Sequence, residues 1–418
     1  MKVIVVGAGI GGLAAAIALN RAGHDVEVYE SSSFLNEVGA AIHLAPNATR
    51  VLKSWDCDLQ ALCPVECEAI NGYSTDLKVV RTFVTLREGQ EKLGMKDPWL
   101  LVHRVDVHNG LRLLAERGFH GRSVTIHLNS KVESVNTETG EVHLQDGRTV
   151  QGDLVVGADG LHSRTVQAIL SSGRDKISTG QKMFRFLIPV EKTKENGAVK
   201  DFVDRIGLNC TTGIGPMPVR LVIYPCRSGT LLNCGLVCPA TEAEDLAGRE
   251  SSWVSAGALD SLLAQLDGFD DGVREFCKMA EDIKLWSLVT RDPPRTYVKG
   301  RLALLGDAAH PMLPHQGQGA AQALEDAAAL GALFAGDAAP AQVPELLDIY
   351  NEARYNHTVT ICIFSRVSVD CREQVLDHLR RFVPDATIAG NSPYTSWNSY
   401  PAREVERLLR LRRGERPL

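Results

Sequence analysis

The sequence predicts an α/β fold: a three-layer unit around a parallel sheet, a mostly antiparallel sheet inserted into it, and a helical tail. Three observations predict this. The chain opens with a strand, a glycine turn, a helix and a second strand. The strand patterns change character after about residue 180. The segment RLALLGDAAHPMLP, beginning at Arg301, then returns to a strand followed by glycine. The first unit is therefore expected to be discontinuous, residues 1–180 with 286–370. The inserted unit is expected at 181–285 and the tail at 371–418.

Lys2 to Val6 is rich in β-branched residues and reads as a short buried strand. Leu13 to Arg21, rich in alanine and leucine, reads as a helix, and His24 to Glu30 as the next strand. A β-α-β unit demands a parallel sheet. Residues 100–117 read as another helix. VTIHLNSKVESV, GEVHLQDG and TVQGDLVVGADG follow as strands, with Asp146-Gly147 as a turn. They suit a small antiparallel addition before DLVVGADG returns toward the first turn. MFRFLIPV, RLVIYP and LLNCGLVCP supply strands for the inserted sheet, and residues 241–285 have a helical pattern. Gln318 to Phe334 reads as a helix, residues 345–382 as helix packed on the core, and LLRLRRGERPL as an exposed helix or a disordered tail.

At 418 residues the chain has room for two to three domains, and 44% apolar residues are enough for a large core. A net charge of -6 gives no electrostatic case for nucleic acid. Ten cysteines show no metal-site spacing, so no metal is expected, and they suit a reducing, cytoplasmic setting. The apolar run Val3 to Leu19 is glycine-rich at its centre and lacks a cleavage site. It reads as fold rather than as a secretory leader, and no segment reads as membrane-spanning.

The sharpest local signal is Gly7-Ala8-Gly9-Ile10-Gly11-Gly12. In such a motif Gly7 permits a tight turn, Gly9 lets backbone approach a pyrophosphate, and Gly12 lets the helix pack on its strand. The helix N-terminus offers unpaired N–H groups to the anion. Glu30, at the end of the next strand, is placed to accept adenosine ribose hydroxyls; alternatively it is an ordinary strand terminus. The pattern predicts a dinucleotide site without distinguishing FAD from NAD.

Four motifs in order resemble the group A flavoprotein monooxygenases, the single-component aromatic hydroxylases, and their salicylate hydroxylase-like branch. They are GAGIGG with Glu30, GAAIHLAPNA from Gly39, GADGLHSRTV from Gly157, and GDAAHPMLPHQGQGAAQALEDA from Gly306. The resemblance implies FAD held by Gly7, Gly9, Gly12, Glu30, Ala41, Arg104, Asp159 and Asp307. Pro314, Gly317, Gln318, Gly319 and Ala320 would lie beside the isoalloxazine. Taken singly, the later motifs are also compatible with turn chemistry: Asp307 as a helix cap, the glycines as backbone crossings.

The resemblance further implies reduction of FAD by NADH or NADPH, a C4a-hydroperoxyflavin formed with molecular oxygen, and hydroxylation of a phenolic or aromatic-acid substrate. Gly213-Ile-Gly215-Pro-Met-Pro218 does not make a second nucleotide fingerprint, because its prolines oppose a helix start. Arg185 is a candidate for holding a carboxylate or phenolate, against an edge-strand solvent arginine. Tyr224 is a candidate for orienting the ring, against simple packing, and His315 for moving a phenolic proton. His43 is a possible flavin-side group, and His310 is expected in the cofactor loop's hydrogen bonds. A flavin-dependent epoxidase or oxidase, or a non-catalytic flavin-binding protein, would share this scaffold. A monomer or homodimer is expected.

Overall fold

A computed structural model describes all residues except 34–39, 171–176, 243, 245–253, 337, 389–391 and 416–418. The central sheet has six strands in the order Val298–Lys299, Leu302–Leu304, Leu154–Gly157, Lys2–Val6, Asp25–Tyr29 and Thr125–His127. All neighbours run parallel except the first pair. Register matters more than order here. Val6 lies opposite both Gly157 and Tyr29, and Gly157 opposite Leu304. The turns beginning at Gly7, Ala158 and Leu305 therefore leave the sheet side by side at its carboxyl edge, where open α/β sheets bind ligands.

The helix Ile10–Arg21 is buried along almost its whole length. It packs against Gly319–Leu333, and the two backbones approach closely: a Cβ on Gly331 would lie 2.9 Å from that of Ala18. The small antiparallel addition is present as Val132–Asn136, Glu141–Leu144 and Thr149–Gln151.

The second large sheet has eight strands, mostly antiparallel. At its centre Ile177–Pro189 pairs with Leu231–Pro239 and Glu281–Thr290. Alternation divides the work of these strands. Phe184, Phe186, Ile188, Leu232, Cys234 and Leu236 form a core with Phe202 and Phe276, which lie on helices Gly197–Ile206 and Asp271–Lys278. Met183, Arg185, Val222 and Tyr224 occupy the opposite face.

Several elements differ from the sequence expectations. Leu100–His103 is a strand, and the helix begins only at Arg104. The apolar run LLVH is buried and pairs with Ala41–Leu44, so a short run ambiguous by pattern is settled by its partner. The eight-stranded sheet reaches outside 181–285: it includes Ala69–Tyr73 and Val79–Thr85, and one strand continues to Thr290. Ala69–Tyr73 joins through a parallel pairing with Cys210–Ile214. The helix Gly197–Ile206, capped by Asn196, stands between two of the strands expected for the inserted sheet. Within 241–285 the described residues include two strand segments, Val254–Ala256 and the start of Glu281–Thr290, besides short helices; 243 and 245–253 lie outside the described residues. Near the end, Pro401–Arg412 is a helix with Val405 and Leu408 buried. Among the described residues no helix is long and apolar enough to cross a membrane.

Candidate cofactor and active site

The glycine turn has the geometry expected of an anion cradle. Gly7 has φ +96°, and a Cβ there would meet the Ala158 carbonyl at 2.6 Å. A Cβ on Gly12 would lie 1.9 Å from the Gly7 carbonyl oxygen. Both glycines are therefore required by the protein itself. Gly9 differs: a Cβ there would meet nothing within 4 Å. Its bareness keeps open the approach to the helix N-terminus, where Gly9 itself has no side chain to cap it. Such an end attracts an anion.

Glu30 reaches back over this turn. Its carboxylate accepts from the Ala8 N–H at 2.7 Å and the Ser32 N–H at 2.7 Å. Burial alone would raise its pKa, but these donors bring it below the usual value. Asp159 is spent on its own loop. It accepts from Ser163 Oγ, Thr165 Oγ1 and the N–H groups of Arg164 and Thr165 at 2.5–3.0 Å. Ala41 is fully buried, and the eight-stranded sheet takes both its polar groups. Its N–H donates to Asn233 Oδ1 at 2.9 Å and its carbonyl accepts from Tyr224. Gly39, where that motif begins, lies outside the described residues.

Asp307 keeps accessible surface while protein surrounds it, as does a group on a concave wall. Burial raises its carboxyl pKa, and His310, Arg104 and Arg291 oppose that rise. Arg104 also acts on Arg185, whose own pKa is lowered, chiefly by burial, while Tyr224 opposes that change. Asp307, Arg104, Arg185 and Tyr224 thus share one neighbourhood between the two sheets. Among the described residues no carboxylate forms an ion pair with Arg185; its guanidinium lies 5.8 Å from the centre of the Trp286 ring.

The loop at 313–319 closes this neighbourhood. Leu313 packs with Met183, Val237 and Leu288 of the large sheet. Pro314 is exposed, Gly317 has φ +59° beside the His43 side chain, and Gly319 and Ala320 open the following helix. His315 is half-buried, and desolvation with Arg220 nearby lowers its pKa. His43 accepts from the Trp99 indole N–H at its Nδ1, 3.2 Å away, and its ring lies edge-on to Tyr224. Burial holds its pKa at about 4. Among the described residues no group of three His, Cys, Asp or Glu is placed to hold a metal ion.

His310 takes part in the cofactor loop's hydrogen bonds as expected, but sequence reasoning missed the rest of the buried network behind the loop. Arg354 donates to Asp326 and Glu325, each at 2.8 Å, and to Gln322 Oε1 at 2.8 Å. Asp326 accepts the Gly306 N–H at 3.0 Å and contacts His310 Nε2 at 2.7 Å. Asn47 joins Glu325 to Gln318. The one available signal was a pair of acids inside an otherwise apolar helix, QALEDAAAL.

Residues 1–365 match the family model described as the FAD binding domain. The chain is 34% identical to the FAD-dependent monooxygenase cfoG of Aspergillus candidus, over 90% of this chain and 87% of that protein. It is 33% identical to hispidin-3-hydroxylase of Neonothopanus nambi, over 85% of each. The fold matches a salicylate hydroxylase substrate complex with a TM-score of 0.76, covering 97% of both chains at 21% identity. The open cradle at Gly9, the uncapped helix and the acid at the end of the second strand fit the dinucleotide these relatives imply. The chain belongs to the FAD-dependent monooxygenases.

Proposed function

We propose that this protein hydroxylates a phenolic or aromatic-acid substrate, using NADH or NADPH and molecular oxygen, as a cytoplasmic monomer or homodimer. The observation that carries the reading is Arg185: a largely enclosed cation that has no carboxylate partner among the described residues, facing the cofactor side of the large sheet beside Arg104 and Tyr224. An incoming carboxylate or phenolate would complete it. Salicylate, named for one structural neighbour, is a substrate of this chemical kind.

Bound FAD would supply the redox chemistry, taking reducing equivalents from reduced nicotinamide and delivering one oxygen atom to the ring. The chain's residues do the rest. The turn at Gly7–Gly12 and Glu30 would hold the adenosine diphosphate end. Arg104 and Asp307 would line the flavin side. Arg185 fixes the anionic substituent, and Tyr224 presents its ring and the remaining lone pairs of its hydroxyl oxygen. His315, favoured neutral by its lowered pKa, receives a phenolic proton on an imidazole nitrogen. Leu313, clasped by Met183 and Leu288, limits entry of water.

The test uses FAD-loaded protein with paired phenolic acids and neutral analogues. Substrate-stimulated NAD(P)H oxidation and a product heavier by one oxygen are expected; a redox-silent flavin across the panel would sink the reading. A charge-assisted hydrogen bond contributes about 1.5–3 kcal/mol. Arg185→Ala should therefore cost acids roughly 10- to 150-fold in kcat/KM and neutral analogues only a few-fold. Equal losses for both classes would remove Arg185 from substrate recognition.

A further inference from the structure

Arg291 follows the last strand of the large sheet and is only 2% exposed. Its Nη2 donates to the carbonyl of Asp307 at 3.1 Å and to that of Ala308. Its Nε and Nη1 are buried without a hydrogen-bond partner among the described residues. Asp307 and Asp159 lie within electrostatic reach, together with Cys362 and Tyr297. Among the described residues no carboxylate forms an ion pair with it, and Asp159 is already saturated by its own loop. A buried guanidinium in this condition is costly, and among the described residues Asp307 and Asp159 offset that cost only through space.

The loop it supports is held from the same side elsewhere. Thr290 Oγ1 donates to the Pro311 carbonyl at 3.0 Å, Cys362 Sγ donates to the same oxygen at 3.3 Å, and Ser365 Oγ accepts the Leu313 N–H at 3.0 Å. Carbonyls 307, 308 and 311 are thus drawn back into the protein. In a trans peptide the N–H opposes the carbonyl, so the Ala308 N–H points away from Arg291.

We propose that Arg291 is a positioning residue for the flavin dinucleotide: it fixes the Asp307–Ala308 backbone from behind and supplies a buried positive charge that the cofactor's pyrophosphate completes. The group does not touch the cofactor. It acts through the loop and through space, in a low-dielectric setting where an uncompensated charge is felt strongly.

The test compares apoprotein of the native chain with Arg291→Met and Arg291→Lys. FAD affinity is read by quenching of flavin fluorescence. Ligand-induced shifts in melting temperature are read for ADP and for adenosine, which differ in the pyrophosphate alone. Arg291→Met should weaken FAD at least tenfold and abolish most of the ADP shift while leaving the adenosine shift in place. Arg291→Lys, which keeps the charge and a donor, should recover part of both losses. Unchanged FAD affinity, or equal losses for ADP and adenosine, would overturn the proposal. So would failure of both variants to give folded apoprotein, since Arg291 would then serve folding alone.

Discussion

The phenolic O–H of Tyr224 donates to the carbonyl of Ala41 over 2.7 Å, joining the large antiparallel sheet to the strand that precedes the helix Pro46–Ser54. Burial raises this hydroxyl's pKa well above the ordinary tyrosine value, so it stays protonated at working pH. Tyr224 is therefore an anchor and a wall, with no proton to give up to a substrate. Tyr224→Phe leaves the Ala41 carbonyl buried without that donor, a cost of about 1–3 kcal/mol. The variant should melt lower and show a raised KM, with the pH profile of kcat unchanged. A displaced pH profile at native KM would show instead that the hydroxyl takes part in proton transfer.

What could be read from sequence was local. Gly7, Gly9, Gly12 and Glu30 sit within one β-α-β unit, where spacing alone sets geometry. The network of Asn47, Glu325, Asp326 and Arg354 could not be read this way. Its members meet only after the helices pack, and each looks like an ordinary helical residue in isolation. Leu100–His103 failed for a related reason: its apolar run suits either a strand or a buried helix, and only its partner Ala41–Leu44 decides. Ala69–Tyr73 finds its place through a parallel neighbour more than a hundred residues away, which no local pattern specifies. At the site, sequence named Asp159 and Ala41 as cofactor groups; the structure commits the Asp159 carboxylate and both backbone polar groups of Ala41 to neighbouring protein.

Arg354 is the counter-charge for two fully buried carboxylates, and Asp326 in turn holds the Gly306 N–H at the start of the cofactor loop. Burial would raise the Asp326 pKa; His310, Arg354 and the Gly306 N–H bring it down to about 2. Breaking such a pair from one side costs about 3–5 kcal/mol. Arg354→Met should lower the urea midpoint accordingly and reduce the flavin retained per mole of protein. Native flavin content in a protein destabilised by that amount would uncouple the network from the loop.

His43 gives a pH signature. Because the indole N–H of Trp99 can only donate, Nδ1 accepts; the neutral ring then carries its proton on Nε2 and donates to Thr211 Oγ1 at 3.3 Å. Burial lowers the pKa from the usual 6.5 to about 4. Between those values the unfolded chain binds the proton more readily than the folded one, so acidification favours unfolding. Stability from this group is complete above about pH 6.5 and is lost as pH falls toward 4. His43→Asn keeps an acceptor for Trp99 and removes the titration. Melting temperatures at pH 7.5, 6 and 5 should fall less steeply in the variant; parallel curves would refute the assignment.

Gly9 and Gly12 separate what folding needs from what the cofactor needs. Gly12→Ala places a methyl carbon 1.9 Å from the Gly7 carbonyl oxygen, and since that oxygen is a backbone atom the turn itself must deform. That variant should lose stability even as apoprotein. Gly9 has φ -68°, which alanine adopts without strain, and its Cβ would enter open space. Gly9→Ala should therefore leave the apoprotein within about 0.5–1 kcal/mol of native stability, since relieving glycine's extra chain entropy offsets small losses. The same methyl would occupy the approach to the helix N-terminus, so FAD affinity should drop at least tenfold. Denaturation of the two apoproteins, set beside their flavin titrations, checks both halves. Native FAD affinity in Gly9→Ala would mean that the cofactor does not use the space this glycine leaves.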